Sequence, residues 1–234
     1  MARGDYGSVS ESFVLRPAAP VNLNEVRRLV REAADWLRKS KITDQWARPW
    51  PDLDRRDERM LNDLLKGKTW LLWDSTAAAA TITIDDEEPV DSHDNPVWPD
   101  HKRDQTALYV RRIVVSRRYY HHGLGAGLLD WAAAVAMRDY STALIRVDVW
   151  TTNHKLHEYY KGQRFKHCTG RDPSELPDYP SQALFERDAS EARSTHTGLF
   201  TEEESPQERS RRPRHSRPPR QLRAPAQNSV ADPV

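Results

Sequence analysis

Three glycines in the pattern Gly-x-Gly-x-Gly lie between a β-branched strand and an apolar-faced helix near the middle of this chain. The strand is predicted over Leu108–Val115 (LYVRRIVV), and the glycines are Gly123, Gly125 and Gly127. Glycines let a backbone approach a ligand closely, and the first N–H groups of a helix point outward with the positive end of the helix dipole behind them. The pattern therefore predicts a site for a phosphate-bearing ligand at this turn.

The place of this turn in the chain separates it from two other phosphate-binding motifs. A dinucleotide-binding turn opens a first βαβ unit and is followed by an acid at the end of the second strand. Here the turn follows a predicted helix, hairpin and loop, and it lacks the Gly-Lys-Ser/Thr of a P-loop. Dinucleotide and nucleoside triphosphate sites are therefore disfavoured.

Hydrophobic periodicity predicts the order of elements around the turn. A helix is expected to begin near Asn22, which forms a capping-box pattern with Glu25, and a second helix is expected to end at Gly67. Strand-like runs lie at 13–16, 70–73, 79–84, 144–150, 164–168 and 182–186, and a short helix is predicted at 153–160.

Composition divides the chain into a disordered N-terminus (1–11), one folded domain (12–188) and a disordered Arg/Pro-rich tail (189–234). Large apolar residues nearly vanish after Asp188, and such a segment cannot bury a core of its own. The whole chain has a formal net charge of +1. Its overall charge therefore indicates no particular partner.

Positive charge is concentrated in residues 209–223, which contain seven arginines, three prolines and no acid. A solvated extension is the favoured interpretation of this stretch. The alternative is an arm that holds nucleic acid or another polyanion weakly through phosphate contacts.

The remaining features indicate a cytoplasmic protein. Cys168 is the one cysteine and cannot form an internal disulfide, the first residues lack the apolar run of a signal peptide, and no stretch has the length of a membrane span. No membrane partner is expected. A monomer and a homodimer both stay open.

Two blocks of the chain resemble the GNAT family of N-acetyltransferases. The block ALYVRRIVVSRRYYHHGLGAGLLDWA is similar to motif A of that family, a strand followed by Gln/Arg-x-x-Gly-x-Gly/Ala and a helix, with Tyr120 at the lead position. The block VWTTNHKLHEYYKGQRF is similar to motif B, an Asn, a short helix and Tyr-x-x-x-Gly-Phe. In the second block Arg164 replaces the glycine before Phe165.

The resemblance, which covers residues 12–188, implies an α/β fold: a mixed, mostly antiparallel sheet of six or seven strands with helices on both faces. It also implies acetyl-CoA as co-substrate and no metal. The backbone of Ile113, Val114 and Val115 would pair with the pantetheine arm, and Asn153 would contact the cofactor where the central strands diverge. The residues implied to hold the pyrophosphate are His121, His122, Gly123, Leu124, Gly125 and Ala126.

The implied reaction is direct attack of an uncharged primary amine, of a small molecule or a protein, on the acetyl group in a ternary complex. Tyr160, rather than the adjacent Tyr159, would protonate the leaving sulfur, because Tyr160 lies five residues before Phe165 as the motif requires. The general base is not identified by the motifs. Its unranked candidates are Asp85, Asp86, Glu87 and Asp148.

Two further hypotheses concern the acceptor and the activity. The acidic loop 85–100 with Trp46, Trp50 and Trp98 could attract a cationic amine, although a charge run of this kind is more often a solvated loop. The alternative to an enzyme is a catalytically weak acetyl-CoA-binding sensor or scaffold with a polyanion-binding basic tail. The missing base and the altered lead residue motivate that alternative.

Overall fold

The structure is a computed structural model that describes residues 13–40, 42–47 and 49–203. The predicted disordered N-terminus and the arginine-rich stretch 209–223 lie outside these residues. The strands are β1 (Phe13–Pro17), β2 (Thr69–Trp73), β3 (Ala78–Asp85), β4 (Leu108–Val115), β5 (Leu144–Val149), β6 (Lys166–Cys168), β7 (Ala183–Asp188) and β8 (Phe200–Glu202). The α-helices are α1 (Leu23–Ser40), α2 (Leu53–Leu65), α3 (Asp100–Arg103), α4 (Leu124–Asp139) and α5 (His154–Gly162).

The strands form one sheet in the order β6-β7-β5-β4-β3-β2-β1-β8. Only the pairs β1–β8 and β4–β5 are parallel among the described strands. The expected mixed, mostly antiparallel sheet is therefore confirmed. It has eight strands in the described part of the chain instead of six or seven, because β8 lies in the segment predicted to be a disordered tail.

Helices cover both faces of the sheet, as predicted. On one face, Val26 and Leu29 of α1 and Met60 of α2 pack on Leu71 and Val114. On the other face, the buried residues of α4 and α5 cover the opposite sides of the same strands. Leu71 and Leu72 point into different clusters, as the period of two along a strand requires.

The start of α1 differs in detail from the predicted capping box. A short 3-10 turn, Pro20–Asn22, precedes the helix, and the Asn22 side chain accepts the Ala19 backbone N–H at 2.9 Å. Glu25 instead forms an ion pair with Arg28 at 3.0 Å. The Asn22 side chain therefore caps the 3-10 turn that precedes α1, one turn earlier than the sequence pattern indicated.

The domain boundary at residue 188 is wrong, because the next residues pack on the domain. Ala189 is fully buried, the Thr195 hydroxyl donates to Asp130 of α4 at 2.8 Å, and Phe200 begins β8 beside β1 with 7% of its surface exposed. The Glu203 N–H donates to Leu15 O at 2.8 Å. A few well-placed contacts order this stretch although its composition is polar.

Strand β4 contains a bulge that the sequence did not reveal. Thr83 pairs with Arg111 and Thr81 with Val114, so β4 carries one more residue than β3 across this interval. Arg112 has a positive φ of 50° at the bulge. Its guanidinium is held by Asp63 of α2 at 2.7 Å. Because of the extra residue, the alternation of β4 side chains toward and away from α4 is reversed beyond the bulge.

Arg164 adopts the left-handed conformation that motif B assigns to glycine. Its φ is 66°, and its N–H donates to Lys161 O at 2.9 Å in the turn that ends α5. Such a conformation strains a residue with a Cβ. The arginine side chain also donates to Glu191 O at 3.2 Å, so the substitution keeps the turn geometry and adds a contact to the segment after β7.

The packing of β8 predicts that Phe200→Ala lowers the free energy of unfolding by about 3 kcal/mol, the usual loss for a buried phenylalanine. Val21→Ala is the matched control, because Val21 is 85% exposed and should change stability by less than about 0.5 kcal/mol. Urea denaturation of both variants provides the test. Equal stability of Phe200→Ala and wild type would contradict the extended domain boundary.

Candidate functional site

The centre of the sheet is open between β4 and β5. These strands pair only through Leu108 with Ile145 and Tyr109 with Arg146, and then diverge. A cavity of about 580 Å³ lies at this opening. Ile113, Val149 and Tyr160 line it at the gap, and residues of α2 and of the loop before α2 line its outer part.

The backbone of β4 along the gap has a defined polarity. Ser116 N–H donates to Ala79 O at 2.8 Å, and the alternation of an antiparallel ladder then directs the Val114 amide toward Thr81 of β3. The amides of Ile113 and Val115 consequently point toward the gap. Of the three residues predicted to pair with a pantetheine arm, Ile113 and Val115 therefore have backbone amides that face the gap.

The predicted pyrophosphate segment forms the turn into α4. His121, His122 and Gly123 are exposed, whereas the Leu124 side chain is buried in the core. Gly123 has a φ of 69° and is the N-cap. The backbone N–H groups of 124–126 donate to no acceptor in the described part of the chain. Free N–H groups at the start of a helix can hold an anion, and the binding of a pyrophosphate by this segment stays a prediction.

The strand end that leads into this turn is fixed by α1. Glu32 accepts the Ser116 hydroxyl at 3.0 Å and the Arg117 N–H at 2.6 Å. Gly125 is required at its position, because a Cβ there would lie 2.8 Å from the Tyr159 hydroxyl. Close approach, and not a positive φ, explains this second glycine.

Asn153 follows the end of β5 but does not line the cavity, and its amide is engaged within the protein. The Oδ1 atom accepts the Leu156 N–H at 3.1 Å and so caps α5, while the Nδ2 group donates to Gln45. The residue is buried. Asn153 thereby sets the start of the helix that carries Tyr160, and its contact with a cofactor stays a prediction.

Tyr160 projects from α5 onto the wall of the cavity. Its ring meets Phe165 edge-on at a centroid distance of 5.3 Å and stacks on Phe185 at 6.0 Å, and only 4% of the residue is exposed. Burial raises the pKa of its phenol well above the ordinary value. The phenol therefore stays protonated at neutral pH and can donate a proton.

Tyr159 lies in a different environment from its neighbour. It does not line the cavity, and its hydroxyl approaches Gly125 at the start of α4. Burial raises its pKa to about 12. The two tyrosines therefore lie in different surroundings, and of the two only Tyr160 lines the cavity.

The candidate bases differ sharply in their partners. The Asp85 carboxylate is bound by Lys68 and Arg111, and Glu87 is bound by Lys68 at 2.9 Å. These hydrogen bonds and charges lower the pKa of Glu87, so it holds protons poorly. Asp86 is exposed and lies outside the cavity wall. None of these three suits proton abstraction at the gap.

Asp148 of β5 is the remaining candidate, and it lines the cavity beside Tyr160. Its Oδ2 accepts the Tyr179 hydroxyl at 2.6 Å, and it forms no ion pair within the described residues. Burial raises the pKa of its carboxyl, and the Tyr179 hydrogen bond opposes the shift. A raised pKa brings the carboxyl closer to the range in which a general base works.

The expected tryptophan cluster is only partly assembled. Trp46 and Trp50 line the cavity, whereas Trp98 is fully buried elsewhere with the Arg146 guanidinium 4.6 Å from its ring. Trp98 is therefore a core residue. The sequence patterns also missed Tyr179, whose role depends on a contact 31 residues along the chain.

The chain matches a model of the Acetyltransferase (GNAT) family over residues 30–165, and it belongs to that family. The N-acetyltransferase YesJ of Bacillus subtilis (strain 168), itself uncharacterized, is 26% identical over 155 residues, which cover 66% of this chain and 82% of YesJ.

Two solved structures have the same fold. A GNAT-family acetyltransferase from Listeria monocytogenes 4b F2365 aligns with a TM-score of 0.57 and 22% identity, over 75% of this chain and 94% of its own. The PaiA N-acetyltransferase from Thermoplasma acidophilum, solved with coenzyme A, aligns with a TM-score of 0.53 and 15% identity, over 76% and 99%. The family resemblance and the fold class predicted from the sequence are thus confirmed.

Two other properties follow from the described residues alone. No helix among them is long and apolar enough to cross a membrane. They also contain no group of three or more His, Cys, Asp or Glu side chains arranged to hold a metal ion.

The environment of Asp148 predicts a pH dependence of stability. Because its pKa is raised in the folded state, the folded protein binds this proton more tightly than the unfolded chain does. Wild type therefore loses stability as pH rises above the ordinary aspartate pKa of about 3.9. Asp148→Asn removes this titration, so it should gain stability relative to wild type between pH 4 and 7. Thermal unfolding across that range measures the difference, and a constant difference would contradict the raised pKa.

Proposed function

We propose that this protein transfers the acetyl group of acetyl-CoA to a primary amine by direct attack in a ternary complex. The observation that carries the proposal is the placement of Tyr160 and Asp148 on one cavity that opens at the gap between β4 and β5. Tyr160 would then act as the proton donor and Asp148 as the proton acceptor beside the thioester.

Acetyl-CoA would bind along the open edge of β4. The Ile113 C=O and the Val115 backbone groups would pair with the pantetheine arm in the manner of an added strand. The three amides at the start of α4 would hold the pyrophosphate, with no side chain needed from Tyr120. The Ile113 amide would polarise the acetyl carbonyl and stabilise the oxyanion that forms on attack.

Proton transfer would use the two side chains of the cavity. Asp148 would take a proton from the acceptor ammonium, directly or through water, and leave an uncharged amine. That amine would attack the carbonyl carbon and form the C–N bond. As the C–S bond breaks, Tyr160 would give its proton to the departing thiolate, and the second proton lost by the amide nitrogen would restore the phenol, directly or through water.

The adjacent tyrosines allow a matched test of this mechanism. Tyr160→Phe should lower kcat by about 10²- to 10⁴-fold with little change in acetyl-CoA affinity, because a general acid acts in the transition state. Tyr159→Phe should keep kcat within about 3-fold of wild type, since its hydroxyl lies outside the cavity. Thiol release from acetyl-CoA with a panel of amines measures both.

The outcomes separate the enzyme from its alternative. Amine-dependent thiol release that falls only in Tyr160→Phe supports the proposal. Saturable acetyl-CoA binding without thiol release for any amine would support the sensor or scaffold instead. Equal activity of the two phenylalanine variants would contradict the role of Tyr160.

A further inference from the structure

The outer part of the cavity contains a guanidinium, that of Arg59, which has no carboxylate partner in the part of the chain that the structure describes. Most charged side chains on the cavity wall are paired: Asp63 with Arg112 at 2.7 Å, and Glu87 with Lys68 at 2.9 Å. Arg59 of α2 lines the same cavity, is half-buried, and has no acidic side chain within 4 Å among the described residues. A partly desolvated cation without a counterion is unfavourable unless a ligand supplies the charge.

The Arg59 side chain is held in place by aromatic contacts. Its guanidinium carbon lies 4.6 Å from the Trp50 ring centroid, and the Trp50 ring meets Tyr179 edge-on at a centroid distance of 4.9 Å. Tyr179 in turn donates its hydroxyl to Asp148 at 2.6 Å. The Arg59 guanidinium and the Asp148 carboxylate therefore lie at opposite ends of one chain of contacts through Trp50 and Tyr179. All four residues line the cavity.

Arg56 adds a second donor on the same side. It lies three residues before Arg59 on α2, so the two side chains share a face of the helix, and both line the cavity. The Nε–H of Arg56 is buried and donates to no acceptor in the described chain, whereas its Nη2 lies 3.5 Å from an Asp57 carboxylate oxygen. Like charges at this spacing repel each other, and an anion between them would remove that repulsion.

We propose that the acceptor carries an anionic group, a carboxylate or a phosphate, in addition to its amine. Arg59 and Arg56 bind the anionic group through charge-assisted hydrogen bonds, while the amine lies near Asp148. The inference rests on the proposed acetyl transfer and narrows its acceptor to a zwitterionic amine. The amine and the anionic group of that acceptor lie far enough apart for the molecule to extend past the Trp50 and Tyr179 rings.

Matched acceptors that differ only in charge test this specificity. The probes are amino carboxylates with two to six methylene groups, the amides of the same acids, and the corresponding aminoalkyl phosphates. We expect an anionic member to have a kcat/KM at least 10-fold above that of the neutral amide of equal length. The carboxylate and phosphate series distinguish the two kinds of anion.

Two variants on α2 identify the residue responsible. Arg59→Gln should lower kcat/KM for the preferred anionic probe by about 10- to 100-fold, the usual effect of losing a hydrogen bond to a charged group, mainly through KM. The same variant should change kcat/KM for the neutral amide less than 2-fold. Arg55→Gln is the control, because Arg55 is exposed and does not line the cavity.

Binding measured apart from turnover separates this inference from the proposed function. The same probes are titrated calorimetrically into wild type and Arg59→Gln, each saturated with coenzyme A. Tighter binding of the anionic probes that is lost in Arg59→Gln supports the inference even if no thiol is released, an outcome that would contradict only the transfer reaction. Thiol release without preference for anionic probes, or equal losses for both kinds of probe in Arg59→Gln, would overturn the inference and leave the transfer reaction intact.

Discussion

The divergence of β4 from β5 is the constraint on which the rest of the site depends. Strand β5 is paired along its whole length with β7, so it is held on its other edge and cannot follow β4. Strand β4 is held to β3 on both sides of the bulge at Arg112. Among the described residues, the opening between them therefore leaves the Ile113 and Val115 amides without a strand partner, and it provides the cavity that Tyr160 and Asp148 line.

The gap persists because its walls are fixed by interactions away from it. Arg187 of β7 pairs with Asp130 of α4 at 3.0 Å, and its guanidinium also donates to Leu129 O at 3.0 Å, all in the buried interior. The Asp130 carboxylate accepts from Thr195, which joins the segment before β8 to α4. Loss of one partner of a buried ion pair is strongly destabilising. These contacts hold α4, and with it the three free amides at its start, against the sheet.

Periodicity and motif spacing predicted most of the fold, because the residues that determine amphipathic helices such as α1 and strands such as β4 are close together in the sequence. The same local spacing favoured Tyr160 over Tyr159 as the proton donor, a role that stays a prediction. The bulge at Arg112 was not predictable, since no glycine marks it and its geometry depends on Asp63 of another helix. Strand β8 was missed because distant contacts order it. Asp148 could not be ranked above Asp85 from sequence, as only their partners in space differ.

Amide hydrogen exchange along β4 tests the central claim most directly. Exchange at Ile113, Val114 and Val115 is followed by NMR with and without acetyl-CoA. The account predicts that Val114 is protected in both states by β3, while Ile113 and Val115 exchange readily in the free protein and become protected when the cofactor binds. Protection of all three without cofactor, or no change at Ile113 and Val115 when it binds, would contradict the assignment of the open edge of β4 as the acetyl-CoA site.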